Sequence, residues 1–308
     1  MNVLISGGTG FVGSVLAKQY VREGHSVKII SRGNKTPNNL KNFSNKITLI
    51  KKDIREVSPF DVEGSEVVFH LASTVDNYNI HTDPFLDLEI NCRGTISLLE
   101  AVKNTNPSTR IIYASTFFVS GKLDSLPATS SSSCNPLGLY PATKLAAENF
   151  CKTYNEVFEM NSLVARLTNV FGPNEKGDSP KKAVLNYLIK QAVLGEEIKI
   201  YNQGNFFRDY LEVNDACSAL RTLAEKGTRG ETYYVGRGEK VFFKDLIDII
   251  VKHVPHTKVL NVNPPRFHRR IGMENFYCDN TPLRNLGWKP RVSLEEGILN
   301  VIRAYKNE

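Results

Sequence analysis

The chain has 308 residues, of which 41% are hydrophobic and 23% are charged. This length predicts one large or two modest domains. No apolar run approaches the roughly 18 residues that a membrane-spanning helix needs, so the membrane is excluded as a partner. The net charge of +7 comes from dispersed lysines and arginines, dense only at residues 266–270. Because a nucleic-acid duplex needs a stripe of cations, this pattern favours a small phosphorylated ligand over nucleic acid.

The five cysteines are scattered and show no CxxC spacing. This usage argues against structural disulfides and a zinc site, and it favours a reducing cytoplasm as the compartment. No metal site is expected in any other part of the chain. The first residues lack a basic leader, so they are interpreted as a first strand and not as a signal peptide.

Short apolar runs alternate with helical segments along the first half of the chain. The runs are rich in β-branched residues and lack polar alternation, which is typical of strands buried on both faces of a parallel sheet. In chain order, strands are predicted at 3–6, 27–31, 47–51, 67–70, 110–114 and 163–166, and helices at 15–23, 88–103 and 142–158. After about residue 167 the elements become shorter and richer in proline.

This order of elements predicts an α/β fold, a Rossmann-type doubly wound parallel sheet with a smaller C-terminal α/β substrate-binding domain. The first domain is predicted to span residues 1–166, and some later segments return to it. The second domain is predicted to span residues 167–308. The cleft between the two is the expected ligand site.

A glycine-rich loop lies between the first predicted strand and the first predicted helix, which is the context that a dinucleotide-binding turn requires. Gly7 permits the tight turn, Gly10 lets the backbone approach a pyrophosphate, and Gly13 allows close packing of helix on strand. The helix N-terminus, at Phe11 and Val12, offers amide donors and a partial positive charge to phosphates. By itself the loop indicates a nucleotide-binding turn.

The end of the second predicted strand bears on the choice of cofactor. Sites for NAD usually place an acidic residue there to bind the ribose 2′-hydroxyl. Here Ser31 and Arg32 are followed by Gly33-Asn34-Lys35, without an acid. Arg32 could pair with a 2′-phosphate and Ser31 could donate to it, so NADP is favoured over NAD. The alternative is that Arg32 is a solvated arginine at a strand end.

Tyr140 and Lys144 lie four residues apart and therefore share one face of a predicted helix, with the ammonium beneath the phenol. A positive charge there is expected to lower the pKa of the phenol from its usual value of about 10 towards working pH. Together with the glycine loop, this pair predicts a cofactor-dependent oxidoreductase with a tyrosine acid/base.

Several segments, taken as a set, resemble the extended short-chain dehydrogenase/reductase family. They are the glycine loop, Asp53-Ile54, His70-Leu71-Ala72-Ser73, Asn91 with Gly94-Thr95, Tyr140-Pro141-Ala142-Thr143-Lys144, Arg208-Asp209-Tyr210-Leu211-Glu212-Val213 and Leu286-Gly287-Trp288-Lys289-Pro290. The resemblance covers nearly the whole chain. It implies an enzyme that acts on a nucleoside-diphosphate sugar, which the C-terminal domain holds over a nicotinamide bound by the N-terminal domain.

By this resemblance Tyr140 is the acid/base, and Lys144 binds the ribose hydroxyls and lowers the tyrosine pKa. The third catalytic position is Thr116, which would hydrogen-bond the reacting sugar oxygen, with Ser115 as the alternative. A hydroxyl at a strand end can also simply bond its own backbone. The resemblance further implies a set of cofactor-binding residues after the strand ends: Asp53, Ile54, Leu71, Ala72, Ser73 and Asn91.

The resemblance also implies residues that bind the substrate diphosphate. Arg208 matches one phosphate-binding arginine of the family, and Arg269 or Arg270 matches the second. Guanidinium groups suit phosphate oxygens because they form two parallel hydrogen bonds. Asn169 matches a further position that contacts the diphosphate. For each of these residues the alternative is an ordinary surface or turn position.

Two phenylalanines separate this chain from related enzymes. Sugar-nucleotide 4,6-dehydratases carry an Asp-Glu pair after the catalytic threonine, where this chain has Phe117 and Phe118, which cannot exchange protons. Elimination is therefore disfavoured. The related decarboxylases usually have a glutamate in this stretch, which is also absent here, so decarboxylation is disfavoured as well. A reversible C4 epimerase is favoured, and an NADPH-dependent 4-keto-sugar reductase is the alternative. A 4,6-dehydratase and a non-catalytic NADP-binding protein are less favoured.

The resemblance finally implies a homodimer. In the family, the helices that correspond to residues 88–103 and 142–158 pair with their mates in a four-helix core. Ile96, Leu99, Phe150 and Tyr154 are candidates for that surface, although the same residues could instead face the sheet.

Overall fold

The computed structural model describes residues 1–33, 37–75, 77–266 and 275–307 and is built around a seven-stranded parallel sheet. The strands are β1 (Asn2–Ser6), β2 (Ser26–Ser31), β3 (Ile47–Lys51), β4 (Val67–His70), β5 (Arg110–Thr116), β6 (Asn161–Leu167), β7 (Asn169–Phe171), β8 (Ile198–Tyr201), β9 (Phe207–Arg208), β10 (Tyr210–Glu212), β11 (Thr232–Val235), β12 (Val241–Phe242) and β13 (Val259–Val262). The large sheet has the order β11-β6-β5-β4-β1-β2-β3. This order reverses direction between β1 and β4, where doubly wound sheets bind their ligands.

Helices cover both faces of the large sheet and build the rest of the chain. They are α1 (Phe11–Arg22), α2 (Pro59–Val62), α3 (Pro84–Asp87), α4 (Gly94–Lys103), α5 (Leu139–Phe158), α6 (Val184–Val193), α7 (Val213–Lys226), α8 (Phe243–His253), α9 (Thr281–Asn285) and α10 (Leu294–Lys306). Short 3₁₀ turns lie at Asn38–Lys46, Ile54–Glu56, Asn77–His81, Phe117–Ser120 and Asn202–Gly204. A π-helical turn, Leu88–Arg93, runs directly into α4.

Strand β1 shows why these runs form a sheet buried on both faces. Its side chains point alternately to opposite faces, so Val3 and Ile5 lie in the core under α1 and α7, whereas Leu4 lies in the core under α4 and α5. Each such apolar side chain contributes about 1.5–3 kcal/mol when it is fully buried. An apolar run in which no polar residues alternate therefore favours a strand that is covered by helices on both faces of the sheet.

The second half of the chain divides between two cores. Helix α7 and strand β11 belong to the large sheet: β11 pairs with β6, and Leu220 and Leu223 of α7 lie in the core beneath α1. Helices α6, α8 and α10 form a separate core with the short strand pairs β7–β10, β8–β13 and β9–β12. The predicted Rossmann-type sheet with a smaller C-terminal α/β domain is thus confirmed. The division into residues 1–166 and 167–308 stays a prediction.

Candidate active site

The glycine loop joins β1 to α1 at the carboxyl edge of the sheet. Gly7 has φ +72°, and a Cβ there would lie 2.8 Å from the backbone nitrogen of Ala72. A Cβ at Gly13 would lie 2.4 Å from the carbonyl oxygen of Gly7. Gly10 caps α1, whose first turn starts with Phe11 and contains no acidic residue. The tight loop and the N-terminus of a 12-residue helix fit an anionic diphosphate.

The end of β2 lies beside this loop and is open to solvent. The Ser31 hydroxyl hydrogen-bonds Thr9 Oγ1 at 2.6 Å and accepts from the Gly33 amide. Arg32 is exposed. Its guanidinium contributes to lowering the pKa of Asp53, although the main cause is the hydrogen bond from Arg55.

Asp53 and Ile54, which follow β3 after Lys52, both already have contacts within the protein. Asp53 forms a two-armed ion pair with Arg55, with Nε–Oδ1 at 2.9 Å and Nη2–Oδ2 at 3.0 Å. Ile54 is buried, and a Cβ at Gly94 would lie 2.6 Å from its Cγ2 atom. Their predicted contacts with the cofactor are not tested by this geometry and stay predictions.

The segment after β4 is tied to β1 through His70. The Ser6 hydroxyl lies 2.7 Å from His70 Nδ1 and accepts from the Ala72 amide, while the Leu71 amide donates to the Ser6 carbonyl. Burial lowers the pKa of His70 to about 3, so the ring is neutral. These bonds fix Leu71 and Ala72 directly against Gly7.

Asn91 lies in the π-helical turn and organises the loop after β4. Its Oδ1 accepts from the Ser73 hydroxyl at 2.9 Å and the Thr74 amide at 3.1 Å. Its Nδ2 donates to the hydroxyls of Thr74 and Thr143, at 2.9 and 3.0 Å. The side chain thus links the loop to α5. Since its amide groups are already bonded, the predicted cofactor contact of Asn91 would need one of these bonds to open.

Thr116, Tyr140 and Lys144 come together at the carboxyl end of β5 and the start of α5. All three are buried, at 6%, 9% and 2% exposure. The Thr116 hydroxyl accepts from the Phe118 amide at 3.3 Å, and it also lowers the pKa of the Tyr140 phenol, so it faces that group. Ser115, the alternative to Thr116, points to the other side, where its hydroxyl donates to Glu148 at 2.5 Å. The hydroxyl beside the phenol is therefore that of Thr116.

Burial dominates the electrostatics of this trio. Burial raises the pKa of Tyr140 to about 12; the hydrogen bond to Thr116 lowers it and the charge of Asp87 raises it. Burial also lowers the pKa of Lys144 to about 7, partly offset by Glu148. Lys144 is not among the groups that shift the pKa of Tyr140 in this structure, so the expectation that it brings the tyrosine pKa towards neutrality stays a prediction. The ammonium lies 4.3 Å from the ring centre of Tyr113.

A buried ion pair behind Lys144 escaped the sequence analysis. Arg166 contacts both carboxylate oxygens of Glu148, at 3.0 and 2.7 Å, and both side chains are at most 3% exposed. The same guanidinium reaches the thiol of Cys134 at 3.1 Å. Glu148 lies one further turn along α5 on the face of Tyr140 and Lys144, so the four-residue spacing was the signal that could have identified it.

The predicted diphosphate-binding residues lie on short strands beyond β6. Asn169 donates from both its backbone amide and its side chain to the Asp209 carbonyl, at 3.1 and 3.0 Å. The Arg208 guanidinium lies 5.9 Å from the ring centre of Phe117 and 6.0 Å from that of Phe206. Arg208 thus stands next to the residue that follows Thr116. Arg269 and Arg270 lie outside the described residues.

Within residues 1–33, 37–75, 77–266 and 275–307, no group of three or more His, Cys, Asp or Glu side chains converges as metal ligands would. Within the same ranges, no helix combines the length and the apolar character needed to cross a membrane.

Comparisons with known proteins agree on the kind of enzyme. Residues 3–236 match the sequence model of the NAD dependent epimerase/dehydratase family. The chain is 28% identical to a UDP-glucose 4-epimerase from Mycolicibacterium smegmatis, over 100% of this chain and 99% of that protein. A solved UDP-N-acetylglucosamine 4-epimerase from Methanobrevibacter ruminantium, in complex with UDP-N-acetylmuramic acid, is 25% identical with a TM-score of 0.92, over 99% and 98% of the two chains. A UDP-glucose 4-epimerase from Thermus thermophilus, in complex with NAD, shares the fold with a TM-score of 0.87 at 24% identity, over 99% of both chains.

Proposed function

The chain belongs to the NAD dependent epimerase/dehydratase family, and from this membership we propose that it is a nucleotide-sugar 4-epimerase. The family makes it an enzyme of the extended short-chain dehydrogenase/reductase type with a nicotinamide cofactor. The proposed reaction is reversible hydride transfer at C4 of a nucleoside-diphosphate sugar. The observation that carries the proposal is the buried trio itself: the Thr116 hydroxyl faces the Tyr140 phenol, and Lys144 lies one turn along the same helix.

In the proposed mechanism Tyr140 removes the proton of the C4 hydroxyl, and Thr116 hydrogen-bonds the same oxygen. The bound nicotinamide supplies the hydride acceptor and donor. The 4-keto sugar then turns over in the site so that its opposite face is reduced, and Tyr140 returns its proton to the C4 oxygen. The proton and the hydride removed in the first half of the reaction are thus both returned in the second half. When it is protonated, Lys144 places a positive charge one helical turn from Tyr140. Burial of all three side chains excludes water from the ketone intermediate.

The residues after Thr116 support epimerisation over elimination. Phe117 is 2% exposed, and its ring lies 4.2 Å from that of Phe118 and 4.6 Å from that of Phe276. An aromatic cluster therefore occupies the positions where a dehydratase needs two acids. This leaves hydride transfer at C4 as the chemistry that the site supports.

The preference for NADP over NAD stays a prediction. Exposed Arg32 is available to a 2′-phosphate. Against NADP, the Ser31 hydroxyl is already bonded to Thr9, and the solved Thermus thermophilus epimerase is in complex with NAD. A net NADPH-dependent reductase of a 4-keto sugar remains the second candidate, because the same arginine favours it.

For the substrate we propose that Arg208 and Asn169 bind the diphosphate, with Arg269 or Arg270 as a second arginine. The position of Arg208 supports this role: it stands beside Phe117, next to the acid/base end of the site. A sugar held between Arg208 and Tyr140 would carry its phosphates at one end and its reacting carbon at the other. UDP-hexoses and UDP-N-acetylhexosamines, the substrates that the relatives' names contain, are the first candidates.

We also propose a homodimer through α4 and α5. Ile96 is 38% exposed and Phe158 is 40% exposed, which leaves apolar side chains on these helices open to solvent. Phe150 and Tyr154 are half-buried. Leu99, however, is 1% exposed and packs in the sheet core, so its predicted place on the surface is wrong.

The five free thiols are compatible with the proposed cytoplasmic location.

The deciding experiment is incubation of the purified enzyme with UDP-glucose, UDP-N-acetylglucosamine and a 4-keto sugar nucleotide. The epimerase converts a UDP sugar into its C4 epimer with no net change in the absorbance of reduced nicotinamide. A loss of that absorbance in proportion to product, with the 4-keto substrate alone, would instead establish the reductase. Mass spectrometry of the co-purifying nucleotide identifies the cofactor in the same preparation.

A further inference from the structure

Asp209, which lies between β9 and β10, is 0% exposed and accepts hydrogen bonds through both of its carboxylate oxygens. Its Oδ1 accepts from the Arg237 amide at 2.8 Å, and its Oδ2 accepts from the Gly238 amide at 2.9 Å. The Cys278 thiol also donates to Oδ2, at 3.3 Å. Burial raises the pKa of Asp209 to about 6 even though these hydrogen bonds lower it, so the side chain is a carboxylate at pH 8. The proposed mechanism makes no use of this charge.

The turn that follows β11 is shaped to receive a carboxylate. Its two amides meet separate oxygens of Asp209, and a carboxylate offers two acceptor oxygens where an amide side chain offers one. Gly236 makes the close approach possible, because a Cβ there would lie 2.8 Å from Asp209 Oδ2. Gly238 has φ +77°, a conformation that favours glycine. The turn therefore fits an acidic side chain at position 209 and not a neutral one.

The backbone of Asp209 holds two residues that are proposed to bind the substrate diphosphate. Arg208 directly precedes it at the end of β9. The Asp209 carbonyl accepts from the Asn169 amide at 3.1 Å and from Asn169 Nδ2 at 3.0 Å. Since Nδ2 carries two hydrogens, a second one is left for a phosphate oxygen. Both proposed contacts thus come from the short piece of backbone that the Asp209 side chain anchors.

This anchor connects the diphosphate end of the site to the sheet that carries the catalytic groups. The turn with the two amides follows β11, β11 pairs with β6, and β6 pairs with β5, whose last residue is Thr116. The distance from the reacting carbon to the phosphates of a bound substrate has to match the distance from Thr116 to Arg208. That distance is set through the sheet, the turn and the Asp209 side chain.

We propose that Asp209 is a positioning residue for the substrate diphosphate: by bonding the turn after β11, it holds Arg208 and Asn169 at a fixed place relative to the large sheet. The proposal rests on the proposed function, because its ligand is a nucleoside diphosphate. Asp209 acts only through these two neighbours, since a fully buried carboxylate does not reach the phosphates.

The test compares Asp209→Asn with Asp215→Asn as a matched control. Asp215 is 4% exposed, and its Oδ2 accepts from the consecutive amides of Arg291 and Val292, at 2.9 Å each. The control therefore loses a similar buried acceptor at residues with no proposed role in diphosphate binding. Binding of UDP is measured by calorimetry at pH 8. We expect Asp209→Asn to bind UDP about tenfold more weakly, the usual scale for disturbing one charge-assisted hydrogen bond, and Asp215→Asn to match the wild type. Cofactor affinity should be unchanged in both variants.

A double-mutant cycle separates positioning from a general loss of stability. Arg208→Ala removes the proposed phosphate contact. If Asp209 acts through Arg208, adding Asp209→Asn to that variant should weaken UDP binding by less than about threefold further. Losses that multiply in full overturn the proposal. Unchanged UDP binding in a folded Asp209→Asn protein, or an equal loss in Asp215→Asn, overturns it as well.

If Asp209→Asn does not fold, Cys278→Ala takes its place, because it removes one donor to Oδ2 and leaves the carboxylate. It should weaken UDP binding by about threefold, and unchanged binding would make the proposal wrong. The wild type distinguishes failure of this proposal from failure of the proposed function. A wild type that binds neither UDP nor dTDP contradicts the proposed function and this role with it, whereas binding that Asp209→Asn leaves unchanged contradicts the positioning role alone.

Discussion

The two ends of the predicted cofactor site are built in opposite ways. At the catalytic end Thr116, Tyr140 and Lys144 are each less than 10% exposed, and their neighbours are fixed by hydrogen bonds. At the ribose end Arg32 is exposed and Ser31 is only half-buried. The reacting groups are thus part of the core, whereas the groups that would choose between NAD and NADP lie at the surface.

This difference separates what the fold determines from what a few substitutions can change. Removing a buried polar group leaves its partners unpaired and alters charges in a medium that screens them weakly. Changing an exposed arginine affects contacts that water already weakens. We therefore expect substitutions at the catalytic end to have large, coupled effects, and substitutions at the ribose end to have small, separable ones.

The largest effect is expected for Tyr140→Phe. Without the phenol hydroxyl the enzyme cannot take or return the C4 proton, so turnover should fall by at least about a hundredfold, the usual scale of acid/base catalysis. Cofactor affinity, measured by fluorescence titration, should remain. Tyr154→Phe is the control, since this tyrosine lies on the same helix but bonds Glu100. Full turnover in Tyr140→Phe would remove this residue from the mechanism.

Thr116→Val should reduce kcat by between about ten- and a hundredfold, because one hydrogen bond to a charged oxygen is lost. Ser115→Ala should leave kcat within about threefold of the wild type, since that hydroxyl bonds Glu148 on the other side of β5. Steady-state kinetics of the two variants decide between the neighbouring hydroxyls. A greater loss in Ser115→Ala would reverse the assignment.

Lys144→Met should stabilise the protein while inactivating it. The folded-state pKa of Lys144 is about 7, below its ordinary value of 10.5, so protonation costs folding free energy. That cost is fully present below pH 7 and disappears as pH rises through 10.5. At pH 6 the variant should gain on the order of 5 kcal/mol in the free energy of unfolding, and at pH 9 only about 2 kcal/mol. Denaturant titrations at both pH values measure this; an equal gain at both would mean that the lysine charge is not destabilising.

Sequence alone predicted the features that depend on local geometry. The demand for glycine at Gly7 and Gly13 follows from a tight turn between a strand and a helix, and the placement of Tyr140 and Lys144 one turn apart follows from the helical repeat. These constraints act over a few residues, so a short pattern is enough to identify them.

Features that depend on tertiary packing could not be predicted in the same way. The choice of Thr116 over Ser115 depends on Glu148, which approaches β5 from a different element. The raised pKa of Tyr140 arises from burial by several segments, which no spacing reveals. Similarly, Ile96 and Leu99 are both apolar and lie on one helix, but only the packed structure shows that Leu99 faces the sheet.

The smallest effect is expected for Arg32→Asp. If Arg32 binds a 2′-phosphate, the carboxylate should weaken NADP binding by about tenfold through repulsion and improve NAD binding by accepting from a free 2′-hydroxyl. Stability should stay within about 0.5 kcal/mol because the site is exposed. Arg303→Asp, which makes the same charge change at an exposed position of α10, is the control. Calorimetric titration of both cofactors against all three proteins measures the ratio of affinities. A wild type that prefers NAD, together with an unchanged ratio in Arg32→Asp, would make Arg32 a solvated surface residue. The cofactor preference would then have to come from other groups at this edge of the sheet.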